Sequence, residues 1–470
     1  MSSVVPTFDP RALREIPADL MARYDVAGPR YTSYPTAPVW TDGFGPADHA
    51  RALEASAASG RPLSVYVHLP FCESLCIYCG CNVVITKRRE IAGAYVERVE
   101  REIAAVAARA GADRRLTAQV AWGGGTPTYL APDQIERLMA CIRTHFPLAP
   151  DAEVGIEVDP RVTTREHVAA IARAGFNRIS MGIQDFDEAV QVEIHRVQPY
   201  ALTRDLVGWC RDAGLESVNV DLVYGLPLQT ADRFGATIDR VLDLAPDRVS
   251  AFSYAHVPWL KPQQRKFDEK TLPRGAEKFE IFTRLVERLT DADYELIGMD
   301  HFARPGNELA EALRTGALWR NFQGFTTKAG TDLVGLGVTS ISSFDDAFAQ
   351  NAKELDDWSG DVDAGRLPTR KGLWLTPDDR MRRDVIQDVM CRYRFDPARV
   401  AAAHGIDPEQ EFGALAPRLA ELEDDGMLLR EGELGFVLTS RGRLFVRNVC
   451  MLFDAHLDPH AERPLFSRTV

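Results

Sequence analysis

The sequence predicts an α/β fold whose parallel sheet curls into a partial βα barrel, and three observations predict it. Short apolar runs alternate with helical patterns from residue 63 to about residue 305. Such alternation indicates βαβ units, which have parallel strands and right-handed crossovers. Polar residues end or follow six successive strands, and α/β proteins place their sites at those strand ends. An open doubly wound sheet would concentrate them at one switch point, so a barrel-like sheet is favoured.

The individual elements follow from apolar spacing. Strands are predicted where short apolar runs occur, at 63–69, 119–124, 153–158, 178–183, 217–226, 248–257 and, as a possible seventh, 295–300. Helices are predicted where apolar residues recur every three or four positions, at 93–110, 132–146, 164–175, 203–214 and 276–293.

The chain divides into three predicted parts. Residues 1–50 are rich in Pro, Gly and Tyr and form an irregular N-terminal arm, poor as helix or strand. Residues 51–360 form the barrel, and within them the Gly- and Thr-rich stretch 320–343 is predicted to be a loop that returns to the site. Residues 361–470 form a mainly helical C-terminal domain.

The C-terminal domain contains a pattern similar to a winged helix. Residues 415–453 are predicted to form a helix, a short hairpin and another helix. The helix before the hairpin ends in Glu-Asp-Asp, which would meet phosphates with like charge. A packing or lid role is therefore favoured over DNA binding.

Composition restricts the class of protein further. The 470 residues are 45% hydrophobic and 26% charged, as in ordinary globular proteins, which argues against disorder, a fibrous repeat or a disulfide scaffold. No stretch approaches the roughly 18 apolar residues of a membrane helix, and the first residues lack a secretory signal pattern. The net charge of −13 disfavours nucleic acid and anionic membranes as partners. We therefore expect a cytoplasmic protein, and a monomer.

The cysteines give the first specific sign of chemistry. Four of the eight lie within ten residues, which in a chain without a secretory signal indicates a metal or redox site in a reducing compartment. These four are Cys72, Cys76, Cys79 and Cys81. The scattered four are expected to be small buried hydrophobic residues: Cys141, Cys210, Cys391 and Cys450.

Two metal sites are compatible with the clustered cysteines. Structural zinc commonly uses two ligand pairs separated by a long spacer, and no second pair is present. A cubane iron–sulfur cluster fits better, because closely spaced thiolates hold it. Three cysteines in C-x-x-x-C-x-x-C spacing leave one iron open to bind a substrate or cofactor. Cys81 is the alternative fourth ligand, but it would fill that open position.

The C-x-x-x-C-x-x-C motif after the first strand of an α/β barrel resembles the signature of radical S-adenosylmethionine (SAM) enzymes. The resemblance implies a [4Fe-4S] cluster held by Cys72, Cys76 and Cys79. It also implies that the open iron binds SAM, whose reductive cleavage gives methionine and a 5′-deoxyadenosyl radical.

Further segments resemble one family, the oxygen-independent coproporphyrinogen III oxidases. The resemblance covers nearly the whole chain, and the segments that carry it are 28–37, 65–82, 122–130, 156–161, 177–186, 220–230, 297–305 and 321–327. The resemblance implies oxidative decarboxylation of two propionates of coproporphyrinogen III to vinyl groups, giving protoporphyrinogen IX in haem biosynthesis. Haem-trafficking relatives lack the tyrosine-rich arm and usually the fourth cysteine, both of which are present here. A radical-SAM-like haem chaperone and a SAM-dependent tetrapyrrole methyltransferase or haem-degrading relative remain the alternatives.

Several residues have a structural and a functional interpretation side by side. Gly123–Gly125 form either a tight turn or a stretch of backbone exposed to a ligand. Tyr66 lies on a strand and is either a core residue or, by resemblance, a SAM-site residue near the transferred hydrogen. Glu157 is costly to bury unpaired and forms either a structural ion pair or, by resemblance, a SAM contact.

The resemblance extends these roles residue by residue. It implies SAM contacts at Tyr66, Tyr78, Gly124, Gly125, Thr126, Glu157, Gln184, Arg196, Asp221, Ala255 and Ile341. Six of these are also candidates for a second SAM: Gly125, Thr126, Gln184, Arg196, Asp221 and Ala255. The residues implied to act at the reacting centre are Tyr66, Glu157 and Gln323.

The implied substrate carries four propionates, which call for arginine or lysine partners. Arg30 in the arm and Arg304 are the candidates, with surface solvation as the alternative for each. The reaction also needs an electron donor for the cluster and an electron acceptor. We expect the arm and the C-terminal domain to cover the site, because a radical of this reactivity needs a closed cavity.

Overall fold

The computed structural model describes Val5, residues 7–457 and residues 466–469. Its strands are β1 (Leu63–Leu69), β2 (Phe71–Cys72), β3 (Val84–Ile85), β4 (Thr117–Gly124), β5 (Leu148–Val158), β6 (Arg178–Gln184), β7 (Ser217–Tyr224), β8 (Arg248–Ser253), β9 (Glu295–Gly298), β10 (His301–Ala303), β11 (Trp319–Asn321), β12 (Gly324–Thr326), β13 (Asp332–Leu336), β14 (Ile341–Ser343), β15 (Ala347–Asn351), β16 (Thr369–Trp374), β17 (Arg394–Phe395), β18 (Leu428–Glu431) and β19 (Gly435–Leu438).

The α-helices mostly alternate with these strands. They are α1 (Ala18–Tyr24), α2 (Pro46–Ser59), α3 (Glu90–Arg109), α4 (Pro132–His145), α5 (Arg165–Arg173), α6 (Glu188–Glu193), α7 (Tyr200–Asp212), α8 (Ala231–Leu244), α9 (Ala276–Asp291), α10 (Glu308–Thr315), α11 (Leu355–Asp363), α12 (Pro377–Arg392), α13 (Pro397–His404), α14 (Pro408–Phe412), α15 (Ala416–Asp424), α16 (Ser440–Leu444) and α17 (Val446–Met451). None of the helices described is long and apolar enough to cross a lipid bilayer.

The main sheet has twelve strands in the order β16-β15-β14-β13-β1-β4-β5-β6-β7-β8-β10-β9. Its seven central strands, from β13 to β8, pair in parallel. All six predicted parallel strands are present, and the predicted barrel class is confirmed. The edge strands are β16 and β9, so the described strands form an open, partial barrel.

One apolar core lies between the sheet and its helices. Strand β1 is buried on both faces except at Tyr66, as expected for a central parallel strand. Helix α8 packs Phe234, Ile238 and Val241 into this core, and these residues follow the three- and four-residue spacing of one helix face. Because the central strands are parallel, their carboxyl ends lie at one edge of the sheet, where the loops that carry the site begin.

The identity of the seventh parallel strand corrects the sequence-based prediction. Residues 295–298 form β9, but β9 pairs antiparallel with β10 at the sheet edge. The seventh parallel strand is β13, inside the stretch 320–343 that was expected to be a loop. A Cβ at Gly335 would lie 2.4 Å from the carbonyl oxygen of Ile341, so this glycine permits close backbone packing and does not mark a loop.

The arm is more regular than its composition predicts. Helix α1 forms at residues 18–24 because Leu20, Met21 and Tyr24 bury one face against the C-terminal region. The Tyr24 hydroxyl donates a hydrogen bond to Asp425 at 2.6 Å. The predicted boundary after residue 50 falls inside α2 and that after residue 360 inside α11, and the division into domains stays a prediction.

The C-terminal region has the predicted helix–hairpin–helix order. Helix α15 precedes the β18–β19 hairpin, and the following helix is divided into α16 and α17 at Phe445. Strand β17 adds a third strand to the hairpin. A second apolar core joins this region to Tyr31 and Tyr34 of the arm. The arm and the C-terminal region thus pack as one layer beside the barrel.

Candidate active site

The clustered cysteines lie on the loop that leaves β1. Cys72 ends β2, and Cys76 and Cys79 follow before the chain returns as β3, which pairs in parallel with β2. All four thiols of the loop are free. The backbone N–H of Ile77 donates to the carbonyl of Ile194 at 3.1 Å, which fixes the loop against the chain after α6.

Three side chains after β8 also hold the cysteine loop, and sequence reasoning did not single them out. Gln263 donates to the carbonyl of Cys79 at 2.8 Å, and Gln264 donates to that of Tyr78 at 3.1 Å. Lys261 donates to the carbonyl of Cys81 at 3.1 Å. Their place just after a barrel strand was the available signal, although their contacts depend on the tertiary fold. They orient the loop through its backbone.

Two arginines surround the sulfur of Cys76. Arg161 Nη2 lies 3.5 Å and Arg196 Nη1 lies 3.7 Å from Cys76 Sγ. Both guanidinium groups are held by Asp159, at 2.6 Å and 3.1 Å respectively. Arg196 and Arg161 hold the pKa of the buried Asp159 carboxyl at about 2, although burial alone would raise it. This network presents positive charge to the sulfur, as a ligating thiolate requires.

The other thiols differ in their surroundings. Burial raises the pKa of Cys72 to about 11, and the Thr126 hydroxyl lies 3.4 Å from its sulfur. Hydrogen bonding from Cys81 lowers the pKa of Cys79 to about 6, and the Cys81 backbone N–H lies 3.4 Å from Cys79 Sγ. Cys81 therefore acts as a hydrogen-bond donor to its neighbour in this structure.

The thiol arrangement fits a cluster better than a single ion. Among the residues that the structure describes, no three His, Cys, Asp or Glu side chains are grouped as the ligands of one metal ion. A cubane places each cysteine on a different iron, so its thiolates need only share one loop. Thiols at 72, 76 and 79, with N–H donors directed at two of the three sulfurs, fit a [4Fe-4S] cluster.

The glycine run after β4 is shaped by close packing. A Cβ at Gly123 would lie 2.7 Å from Glu157 Oε2, and one at Gly125 would lie 2.6 Å from the Pro70 carbonyl carbon. Gly124 has φ of +108°, and its Cβ would lie 2.5 Å from the His68 ring. No side chain fits at any of these positions, so the run requires glycine, and Gly125 packs against the chain just before Cys72.

Tyr66 and His68 form a hydrogen-bonded pair on β1. His68 Nε2 lies 3.1 Å from the carbonyl oxygen of Asn82, which only accepts, so Nε2 carries the proton. His68 Nδ1 then accepts from the Tyr66 hydroxyl at 3.2 Å. Burial lowers the pKa of His68 to about 4, so the ring is neutral at pH 7. The direction of the Tyr66 hydroxyl is thereby fixed.

Glu157 projects into the barrel interior from β5. Its Oε2 accepts a hydrogen bond from the Gly124 backbone N–H at 3.2 Å. Its low-dielectric surroundings, together with the Asp221 carboxylate, raise its pKa to about 7. The residue nonetheless remains accessible because the interior here is open. No ion pair of Glu157 occurs in the part of the chain described, so the structural interpretation of this residue loses its support.

The next two strands of the sheet, β6 and β7, carry Gln184 and Asp221, and Arg196 follows α6. Gln184 follows a register shift in β6 and has φ of +67°. A Cβ on Gly182 would lie 2.4 Å from Gln184 Nε2 and 3.3 Å from Arg196 Nη2, which places both side chains against this glycine. Asp221 accepts from Ser180 at 2.9 Å and Asn219 at 2.8 Å, and burial raises its pKa.

The structure brings most of the implied SAM residues into one interior. Tyr78 lies near Arg196 and Cys76, whose charges affect its pKa, and Ala255 accepts from Gln264 at 3.3 Å. Ile341 instead packs with Trp40 in a separate apolar cluster. Gln323 is exposed in the β11–β12 turn, where its backbone N–H donates to Asn321 at 2.9 Å. Phe322, next to it, packs 5.7 Å from Trp40, which links this turn to the arm.

The two candidate propionate-binding arginines lie at different ends of the strands. Arg304 follows β10, which runs antiparallel to β8, and it donates to the carbonyl of Pro246 before β8. It therefore lies at the amino ends of the strands, and the expectation of a site role is wrong. Arg30 forms an ion pair with Asp300 and lies over the Phe252 ring, near the carboxyl end of β8.

A partial βα barrel with a three-cysteine loop after its first strand defines a radical SAM enzyme. The family model described as the radical SAM superfamily matches residues 66–241, and the HemN C-terminal domain model matches residues 375–445. The oxygen-independent coproporphyrinogen III oxidase of Pseudomonas aeruginosa is 45% identical over 455 residues, 96% of this chain and 98% of its own.

The Escherichia coli enzyme of the same name is 43% identical over 451 residues, covering 96% of this chain and 98% of that enzyme. A solved structure of coproporphyrinogen III oxidase (HemN) from Escherichia coli, described as a radical SAM enzyme, superposes with a TM-score of 0.89. It is 41% identical, and the match covers 96% of this chain and all of that one. The chain belongs to the oxygen-independent coproporphyrinogen III oxidase family, and it binds a [4Fe-4S] cluster and SAM.

Proposed function

We propose that the protein converts two propionates of coproporphyrinogen III to vinyl groups without oxygen, giving protoporphyrinogen IX in haem biosynthesis. The observation that carries this is the three-cysteine loop opening into a barrel interior lined by Tyr66, Glu157 and Asp221. The family relationship over 96% of the chain supports the same substrate.

Each half-reaction removes one β-hydrogen atom, one electron and CO₂ from a propionate. The β-carbon loses its hydrogen, the bond to the carboxylate breaks, and the two electrons left on carbon complete the vinyl double bond. When bound, the cluster and SAM supply the 5′-deoxyadenosyl radical that takes the hydrogen atom. The remaining electron goes to an acceptor, and a separate donor reduces the cluster.

The chain's own residues hold and orient the reactants. Cys72, Cys76 and Cys79 would hold the cluster, and the arginine pair at Asp159 offsets the negative charge of the thiolate at Cys76. Bare backbone at Gly124 and Gly125, together with Thr126, would receive polar groups of SAM. Glu157, Gln184, Arg196 and Asp221 follow on the neighbouring strands β5 to β7 and the chain after α6, and would complete this binding site.

Tyr66 and Glu157 are proposed to position the reacting groups. The hydrogen bond to neutral His68 fixes the Tyr66 hydroxyl, and burial raises its pKa well above the usual value, so it stays protonated. Glu157 has a pKa of about 7, so it titrates in the physiological range. Gln323 is proposed to act from the β11–β12 turn, beside the arm.

Further properties of the protein belong to the same proposal. We propose a cytoplasmic monomer that receives electrons from a separate reductant and passes them to a separate acceptor. The arm is proposed to help close the site, because its tyrosines share an apolar core with the C-terminal region. A truncation lacking residues 1–35 is expected to lose turnover, and full activity of that truncation would contradict the proposed cover.

An anaerobic assay tests the proposed function. Reconstituted protein is mixed with SAM, reductant, coproporphyrinogen III and cell extract as a source of acceptor, with Cys76→Ser as the inactive control. Protoporphyrinogen and 5′-deoxyadenosine are expected together. Deoxyadenosine without vinyl product would point to another substrate of a radical enzyme. Neither product, with an intact cluster and tight haem binding, would favour a haem chaperone.

A further inference from the structure

Arg320 is a buried cation that the proposed mechanism does not use. It lies on β11 and is only 3% exposed. Its Nε and Nη1 are fully buried and have no hydrogen-bond partner among the described residues. A buried guanidinium without partners is costly, since desolvation of a charge is not offset by hydrogen bonds. Such a group is expected to have a partner in the working state of the protein.

The protein itself supplies too little negative charge around Arg320. The nearby carboxylate whose charge acts on it is Asp300, and Asp300 already binds Arg30 and lies 2.9 Å from His301 Nδ1. Burial and the positive charge of Arg30 together lower the pKa of Arg320 to about 10. Arg447 experiences the same two influences, burial and Arg30. The Asp300 carboxylate thus acts on three buried or half-buried arginines, which are Arg30, Arg320 and Arg447.

An aromatic row connects Arg30 with Arg320. The guanidinium carbon of Arg30 lies 5.8 Å from the Phe252 ring centroid, and Phe252 packs edge-on against His301 at 5.6 Å. His301 packs edge-on against Phe325 at 5.3 Å, and the Arg320 guanidinium carbon lies 4.7 Å from the Phe325 ring. The row is therefore a series of edge-on ring contacts with a cation at each end.

The middle of this row lies near one residue of the candidate active site, because the charge of His301 affects the pKa of Asp221, one of the implied SAM contacts. At one end of the row, Arg320 pairs with Phe325 across the hairpin whose turn carries Gln323. The row therefore connects the barrel interior with the hairpin.

We propose that Arg320 and Arg30 bind carboxylates of the substrate, with the tetrapyrrole lying along the row formed by Phe252, His301 and Phe325. This inference rests on the proposed function for the identity of the ligand. Arginine suits carboxylates because its planar fork forms bidentate hydrogen bonds. A bound carboxylate supplies both the missing hydrogen-bond acceptors and the missing negative charge at Arg320.

Anaerobic equilibrium binding to the reconstituted holoenzyme tests this assignment. The probes are coproporphyrinogen III and its tetramethyl ester, which keeps the ring but lacks carboxylate charge. Arg320→Met is expected to weaken binding of the free acid about 10- to 100-fold, the loss typical of a charged hydrogen bond, and to leave the ester unaffected. Arg320→Lys is expected to recover part of the affinity.

Arg304→Met is the matched control. Arg304 also stacks on an aromatic ring, at 5.4 Å from Tyr294, but it lies at the opposite ends of the strands. Its substitution is expected to change binding of neither probe. Iron content and substrate-independent cleavage of SAM are measured in all variants and are expected to stay unchanged, which separates substrate binding from the cluster and SAM sites.

Thermal unfolding of the ligand-free protein separates a binding role from a structural one. Arg320→Met is expected to unfold at the same or a higher temperature, because it replaces an unpaired buried charge with an apolar chain. Three results for Arg320→Met would each overturn the assignment: unchanged affinity for the free acid, an equal loss of affinity for the ester, or a markedly lower unfolding temperature of the ligand-free protein. Wild-type protein that binds neither probe would overturn the proposed function as well, whereas binding without decarboxylation would count against that function alone.

Discussion

Asp159 offers a direct test of the charge network around the cysteine loop. It is 6% exposed and accepts hydrogen bonds from Arg161 at 2.6 Å and Arg196 at 3.1 Å. The substitution Asp159→Asn keeps the shape of the side chain and removes its charge. Two cations then remain beside Cys76 without a carboxylate.

The size of the effect follows from the pKa of Asp159. Its fall from 3.8 to about 2 corresponds to about 2 kcal/mol of folding free energy. Removing one partner of a buried ion pair typically costs about 3–5 kcal/mol. We therefore expect Asp159→Asn to lower the free energy of unfolding by about 2–4 kcal/mol at pH 7.

A second aspartate provides the matched control. Asp363 also accepts from two arginines, Arg98 at 2.9 Å and Arg101 at 2.7 Å, but its side chain is 42% exposed. Water screens such a pair, so Asp363→Asn is expected to cost much less than Asp159→Asn. Urea unfolding of both variants without cluster, at equal m value, measures the difference.

The pH dependence of unfolding tests the contribution of the Asp159 charge to stability independently. Because the pKa of Asp159 is depressed in the folded protein, its contribution is present above pH 3.8 and is lost as the pH falls toward 2. Asp159→Asn is expected to lack this part of the acid destabilisation. Equal losses in Asp159→Asn and Asp363→Asn would refute the reasoning, because burial would then not decide the strength of the network.

Three further predictions concern the cluster, the glycine run and a buried acid. Iron and sulfide analysis is expected to show no cluster after serine substitution of a ligand cysteine and an intact cluster in Cys81→Ser; iron loss in the latter would make Cys81 a ligand. Gly124→Ala is expected to abolish SAM binding in equilibrium dialysis, because its Cβ would lie 2.5 Å from a histidine ring, whereas Gly208→Ala, with nothing within 4 Å, is expected to bind normally. Burial raises the pKa of Glu102 from 4.5 to about 7, so the contribution of this residue to stability is greatest below pH 4.5 and falls by about 3 kcal/mol as the pH rises to 7. Glu102→Gln should remove this pH dependence in urea unfolding, and an unchanged profile would contradict it.

Local sequence was sufficient for the elements whose signal is periodic. The six predicted parallel strands form from short apolar runs, as central strands buried on both faces do, and the helices between them form from apolar residues at the 3.6-residue period. Strands β7 and β8 begin at the predicted residues but end earlier than predicted, at Tyr224 and Ser253. Apolar character alone does not tell a strand from the buried loop that follows it.

Local sequence failed where tertiary contacts determine the conformation. Strand β13 contains Gly335, which sequence reasoning assigned to a loop and where a Cβ would lie 2.4 Å from the Ile341 carbonyl oxygen, so the fold needs glycine there. Helix α1 is only seven residues long, and it forms because the C-terminal region buries Leu20, Met21 and Tyr24. Helices this short are marginal without such packing.

The sequence by itself determined the fold class, the cysteine loop and the family, because spacing along the chain carries that information. Only the tertiary structure decided which distant residues share a site. It placed Arg304 at the amino ends of the strands and Arg30 near the carboxyl end of β8, although neither differs in local sequence in a way that predicts this. It also brought Lys261, Gln263 and Gln264 onto the cysteine loop, and it left Nε and Nη1 of Arg320 buried without a hydrogen-bond partner among the described residues. The physical reason is that charge and hydrogen-bond complementarity depend on distances across the sheet, which local spacing does not encode.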